Sequence, residues 1–128
     1  RGDKLKGKNR IQLQVALGGN NSNNGAFVTA PIQCDGTKTV TVSFTAATNR
    51  AISANYWIGV TDNGPITSDW LRDINKISPH AEGLIPRSDN VSHSHTFTVT
   101  NGQRIMVKVS NTLGEHHLEF ADFTYTVE

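Results

Sequence analysis

A single cysteine, Cys34, excludes an intrachain disulfide. None is needed, because 128 residues make one domain able to bury about two thirds of its unfolded surface. Charge is scarce as well. Charged residues are 18% of the chain, below the ~25% usual for soluble proteins. The net charge of +1 excludes disorder driven by self-repulsion. No apolar run approaches the ~18 residues a membrane helix needs. The basic start of the chain is not followed by the solid apolar stretch of a signal peptide. The chain opens on Arg1 instead of Met, so a processed product or an excised fragment is expected.

Uncharged polarity is abundant instead. Asn, Ser and Thr together supply 35 residues, a composition suited to a β-domain with a neutral hydrogen-bonding surface. Residues 1–9 are basic and nearly free of apolar side chains, and read as a linker or arm ahead of one domain over 10–128. The Arg1-Gly2-Asp3 triplet is too short to carry an integrin-binding reading.

Beyond the arm the sequence alternates with period two. Ile11, Leu13, Val15 and Leu17 share one face. Val40, Val42, Phe44 and Ala46 alternate with Thr39, Thr41, Ser43 and Thr45. Ile52, Ala54, Tyr56, Ile58 and Val60 form a further row, followed by Asn63-Gly64-Pro65. A shorter strand is expected over 26–32. Between 66 and 90 the period breaks. Trp70, Leu71, Ile74 and Ile77 recur at helical spacing behind Thr67 or Ser68 as N-cap. This predicts one short helix near 68–77, with the rest up to Pro86 a long loop.

Two strands follow, over 91–99 and 103–110. Aligning their apolar rows as a hairpin requires a three-residue loop at 100–102 with Gly102 left-handed. The last strand changes parity between Phe120 and Phe123, which predicts a bulge or a sheet-switching corner at Ala121-Asp122. Seven to eight strands without a repeat or βαβ alternation indicate an all-β antiparallel β-sandwich of jelly-roll type, with an immunoglobulin-like sandwich second.

Trp57 is the first candidate for function. Its strand buries Tyr56 and Ile58, so Trp57 points outward beside Asn55 and Gly59. An outward indole can stack on the CH face of a sugar while amides bind the hydroxyls. The opposing reading has a loop, the helix or a subunit interface covering it. Asn20, Asn21, Asn23 and Asn24 crowd one loop, and each amide offers two donors and an acceptor. The same loop reads equally as a solvated turn. Asn20-Asn21-Ser22 and Asn90-Val91-Ser92 also match the N-glycosylation sequon. Asp62, Asn63 and Asp69 flank the helix start, with Tyr56 and Arg50 as further contacts. Trp70, by its spacing with Ile74 and Ile77, is expected in the core.

His93 and His95 lie two apart on one strand face, where imidazoles can bind a transition metal. The His-x-His pattern resembles the metal-binding strand of some trimeric bacteriophage fibres. That resemblance covers two residues and implies a trimer with six nitrogens on one metal. The alternative is half-buried histidines hydrogen-bonded to neighbouring Ser and Thr. Calcium at Asp62, Asn63 and Asp69 lacks a motif, and no cofactor is expected. Cys34 has no activating base nearby in sequence.

No nucleophile elbow, phosphate loop or zinc-protease motif occurs. No basic-aromatic interleaving suggests nucleic acid. The sequence therefore predicts a non-catalytic carbohydrate-binding module, part of a larger protein at the cell surface, outside the cell or on a virion. The alternative is the homotrimeric receptor-binding head of a viral or phage fibre. A small glycoside hydrolase ranks third.

Overall fold

The computed structural model describes residues 10–15, 24–48, 54–62, 64–78, 80–85, 91–110 and 116–128. Eight strands lie among them: β1 (Arg10–Val15), β2 (Asn24–Val28), β3 (Lys38–Thr48), β4 (Ala54–Thr61), β5 (His80–Ile85), β6 (Val91–Val99), β7 (Arg104–Ser110) and β8 (His116–Val127). One helix, α1 (Ser68–Arg72), precedes a 3-10 turn at Ile74–Lys76. All described pairings are antiparallel. They build two four-stranded sheets, ordered β1-β8-β3-β6 and β2-β7-β4-β5. This is an all-β sandwich, and its strand orders are consistent with a jelly roll.

The alternating rows become the core. Val40, Val42, Phe44 and Ala46 of β3 face Tyr56, Ile58 and Val60 of β4, with Ile105, Val107 and Val109 of β7 beside them. Phe44 is the hub. Its ring meets Tyr56 at 5.5 Å and Phe120 at 5.6 Å, while Phe27 packs edge-on against Phe120 at 5.3 Å. Full burial of each such side chain contributes about 1.5–3 kcal/mol. The polar Thr and Ser positions of β3 and β6 turn outward, as period two requires.

A second, smaller cluster lies outside the sandwich. Trp70 and Ile77, from the α1 region, pack with Met106 of β7, and Val28, Trp57 and Leu71 flank them. The helix is short because its apolar face only has to cover this patch. It ends at Asp73, whose extended backbone still donates its N–H to the Trp70 carbonyl at 3.3 Å. The single helix expected over 68–77 is thus a five-residue helix and a separate 3-10 turn.

Three expectations are corrected. Residues 80–85 are a strand, not a loop: β5 pairs with β4 from Ala54↔Ile85 to Gly59↔His80. Its sequence hides this because Gly83 and Glu82 interrupt the apolar alternation. Second, β6 and β7 are not a hairpin. They belong to different sheets, so their apolar rows enter the common core from opposite sheets instead of along one ladder. The left-handed Gly102 is present at φ +95, in a turn closed by the Gln103 N–H to the Thr100 carbonyl at 3.2 Å. Third, the expected bulge exists but no sheet switch accompanies it. Register against β3 passes from Ser43↔Thr124 to Thr45↔Ala121, with Asp122 at φ +54. β8 stays paired with β3 on both sides.

Candidate functional site

β4 leaves the sandwich at Thr61, which is buried, and the chain turns through exposed Asp62 and on to Gly64. Gly64 lies flat against the Trp70 indole: a Cβ there would stand 2.8 Å from Nε1. The Thr67 hydroxyl then caps α1, accepting from the Trp70 N–H at 3.1 Å. The Asp73 carboxylate accepts from the Asn75 N–H at 3.0 Å, and the Ser78 N–H returns to the Val60 carbonyl at 2.9 Å. These bonds bring residues 64–78 back to the end of β4.

This segment and the end of β4 border a cleft of about 400 Å³, within the range of small-ligand sites. Trp70 and Val60 form its apolar wall, while Asp62, Asn75, Lys76, Ser78 and Gln103 supply polar groups. Gln103 is held in place because its Oε1 accepts from the Thr100 N–H at 2.8 Å. One aromatic wall facing a carboxylate, an ammonium, amides and a hydroxyl can bind a small polyhydroxylated molecule: the ring packs on its carbon face and the polar groups exchange hydrogen bonds with its hydroxyls. A shallower depression beside it is lined by Gln33, Cys34, Asp35 and Asn101, where the Asn101 Oδ1 accepts from the Cys34 N–H at 3.1 Å.

The sequence-predicted residues distribute unevenly around this cleft. Asp62 lines it. Asp69 is exposed in the first turn of α1 and is not among the lining residues. Asn63, Arg50, Asn20, Asn21 and Asn23 lie outside the described residues. Asn24 opens β2 opposite Ser110, whereas Thr61 pairs with Arg104 at the other end of β7. Six residues of strand separate those ends, about 20 Å at ~3.3 Å per residue. The structure therefore does not bring Asn24 to Asp62.

Trp57 does face outward, opposite Lys108 and Glu82. It is half-buried against the α1 cluster, with the Lys108 Nζ 5.3 Å from its ring centre. Asn55 is exposed on the same face, near Leu84, which is 52% exposed. Neighbouring Gly59 is buried opposite Met106, and the α1 cluster covers part of the indole. Lys108 also has its pKa lowered by burial, with Asp73 opposing the shift.

Tyr56 is corrected as a surface contact. It is 2% exposed and lies inside the sandwich. Its hydroxyl meets His93 Nδ1 at 3.0 Å and His95 Nε2 at 2.7 Å. The two histidines share one face, as read, but that face is the interior. Burial lowers both pKa values, and the neighbouring His95 lowers that of His93 further. Among the described residues no group of three or more His, Cys, Asp or Glu side chains could hold a metal, and the imidazoles converge on a phenol instead. The partner is Tyr56, not the neighbouring Ser and Thr.

Trp70 is the functional candidate that sequence reasoning missed. Its helical spacing placed it in the core, and it is indeed 8% exposed. What the spacing concealed is that it also lines the cleft. Polar residues within eight positions on either side (Asp62, Asn75, Lys76 and Ser78) were the available signal.

No helix among the described residues is long and apolar enough to cross a membrane. No protein-family model matches the sequence, and no curated protein matches it either. Solved structures do share the fold. The chain is similar to an arabinose-bound MgGH51 α-L-arabinofuranosidase, with a TM-score of 0.56 and 11% identity over 91% of this chain. It spans only 19% of that enzyme chain. It is also similar to a CBM4 structure, with a TM-score of 0.51 and 16% identity, over 93% of this chain and 71% of the other. What this chain shares with both is the β-sandwich fold.

Proposed function

We propose that the chain is a non-catalytic, jelly-roll carbohydrate-binding module of a larger extracellular or surface protein, and that its sugar sits in the cleft beside Trp70. The observation that carries this reading is the cleft itself, where one indole wall faces Asp62, Asn75, Lys76, Ser78 and Gln103. The fold supports it, since both structural neighbours belong to carbohydrate-active proteins and this chain fills 71% of the CBM4 chain. A hydrolase needs two carboxylates about the scissile bond. Asp62 is the single carboxylate among the described residues lining the cleft.

The fibre-head alternative is motivated by the basic N-terminal arm with its fragment-like start and by the His-x-His strand. His93 and His95 are directed at Tyr56, which favours an interior role for this strand face over a metal shared between chains.

The Trp57 face, with Asn55 and Lys108, is the competing position for the sugar. A glycan array including arabinofuranosyl oligosaccharides, followed by calorimetry on the best binder, decides between them. Asn75→Ala and Asp62→Asn are expected to weaken binding about tenfold each, the value of one to two lost hydrogen bonds. Trp57→Ala should leave it nearly unchanged. Loss confined to Trp57→Ala moves the site to the sheet face. A wild-type protein that binds no glycan overturns the proposal.

A further inference from the structure

Tyr56 and the two histidines belong to opposite sheets. Tyr56 sits on β4 of one, and His93 and His95 on β6 of the other. β6 and β5 are edge strands at the same side of the sandwich. The Tyr56 hydroxyl thus links the sheets at the edge where neither is closed by a further strand among the described residues. The Phe44 ring stacks on His93 at 5.1 Å and meets Tyr56 edge-on at 5.5 Å, closing the cluster from within.

The proton arrangement follows from chemistry. A phenol donates one hydrogen bond and accepts others; a neutral imidazole donates from one nitrogen and accepts at the other. His93 Nε2 is buried without a partner. Were it protonated, a buried N–H would be left unpaired, which costs more than a bare lone pair. His93 is therefore the Nδ1–H tautomer donating to Tyr56, and Tyr56 donates to His95 Nε2. Both bonds are satisfied only while both rings are neutral. One added proton on His95 reverses the second bond, leaves the hydroxyl between two donors with its own proton unplaced, and puts a charge on a half-buried ring. A second proton can go only to His93 Nε2, which has no acceptor, and it places two cations side by side.

We propose that the Tyr56–His93–His95 cluster is an acid-released clasp between the two sheets. Among the described residues, the side chains packed against the cluster carry no charge. β3 presents Phe44, β5 presents Gly83, and β8 presents Phe120 and Phe123 to Phe44. On those strands Lys38, Glu82 and Asp122 are exposed, and Glu82 is on the outward face opposite Trp57. Burial pushes both histidines below their ordinary 6.5, so the unfolded chain binds more protons than the folded one below that pH. Stability is fully present above pH 6.5 and is lost as pH falls toward the folded values. The folding constant drops by about tenfold for each unit of depression traversed, with the two sites titrating as a coupled pair.

The test is denaturant unfolding of the whole chain at intervals from pH 8 to pH 4.5, for wild type and for His93→Gln/His95→Gln. The chain holds five histidines, so the difference between the two proteins isolates the pair. Wild type is expected to lose at least tenfold more of its folding constant between pH 7 and pH 5 than the double variant. Amide exchange in β5 and β6, corrected for intrinsic rates, should speed up over the same interval. Equal pH dependence in both proteins overturns the proposal. Should the variant fail to fold, imidazole proton resonances of wild type serve instead: midpoints at or above 6.5 for both His93 and His95 overturn it, and midpoints below support it.

Discussion

Gly83 stands directly opposite Tyr56 on the neighbouring strand, and the Tyr56 ring lies across the place where its Cβ would be. This absence of a side chain lets the ring lean toward the sheet edge and reach β6. It also explains a glycine in the middle of a strand, where glycine otherwise weakens pairing.

Gly83→Ala is therefore expected to destabilise by about 1–3 kcal/mol through overpacking. Tyr56→Phe should not rescue it, because ring carbons as well as the hydroxyl oxygen occupy the space. Urea unfolding of the single and double variants checks this. Rescue by Tyr56→Phe would show that the hydroxyl alone is the obstacle.

Gly64 holds the loop against Trp70 in the same way, with the would-be Cβ 2.8 Å from Nε1. Gly64→Ala must displace either the loop or the indole. The expected result is a stability loss of about 1 kcal/mol or more, a shifted tryptophan emission and weaker ligand binding at the cleft. Unchanged emission and stability would mean that the loop yields freely.

Thr67 caps α1 through the Trp70 N–H. Thr67→Ala should cost about 0.5–2 kcal/mol, and Thr67→Ser should restore most of it. Because α1 holds the cleft wall, ligand affinity should fall with Thr67→Ala and recover with Thr67→Ser. Thermal unfolding and calorimetry on the same samples would show both.

Gly102, at φ +95, turns the chain from one sheet to the other. Gly102→Ala places a Cβ in a backbone region that L-residues avoid. The space around it is open, so the cost is backbone strain alone, about 1 kcal/mol. A thermal scan showing no loss would mean that the turn changes type to accommodate alanine.

Much of this architecture follows from the sequence alone. Period-two rows in β3, β4 and β7 determine which side chains are buried, because a strand has only two faces. The parity change at Ala121-Asp122 marks a real bulge, since an inserted residue reverses every later side chain. The outward direction of Trp57 and the shared face of His93 and His95 follow from the same alternation.

Tertiary structure decided what those faces meet. Local parity carries no information on which sheet a strand joins, so β6 and β7 could pair or part, and the closure of the sandwich put them in different sheets. β5 forms because β4 offers an unpaired edge, which the weak pattern of His80–Ile85 does not announce. The helix covers part of Trp57, Gly64 opens onto Trp70, and Tyr56 finds two imidazoles 37 and 39 residues away. Each is a contact between segments distant in sequence. Such contacts depend on loop paths and sheet packing, so only the folded chain determines that Trp70 walls a cleft and His93 and His95 surround a phenol.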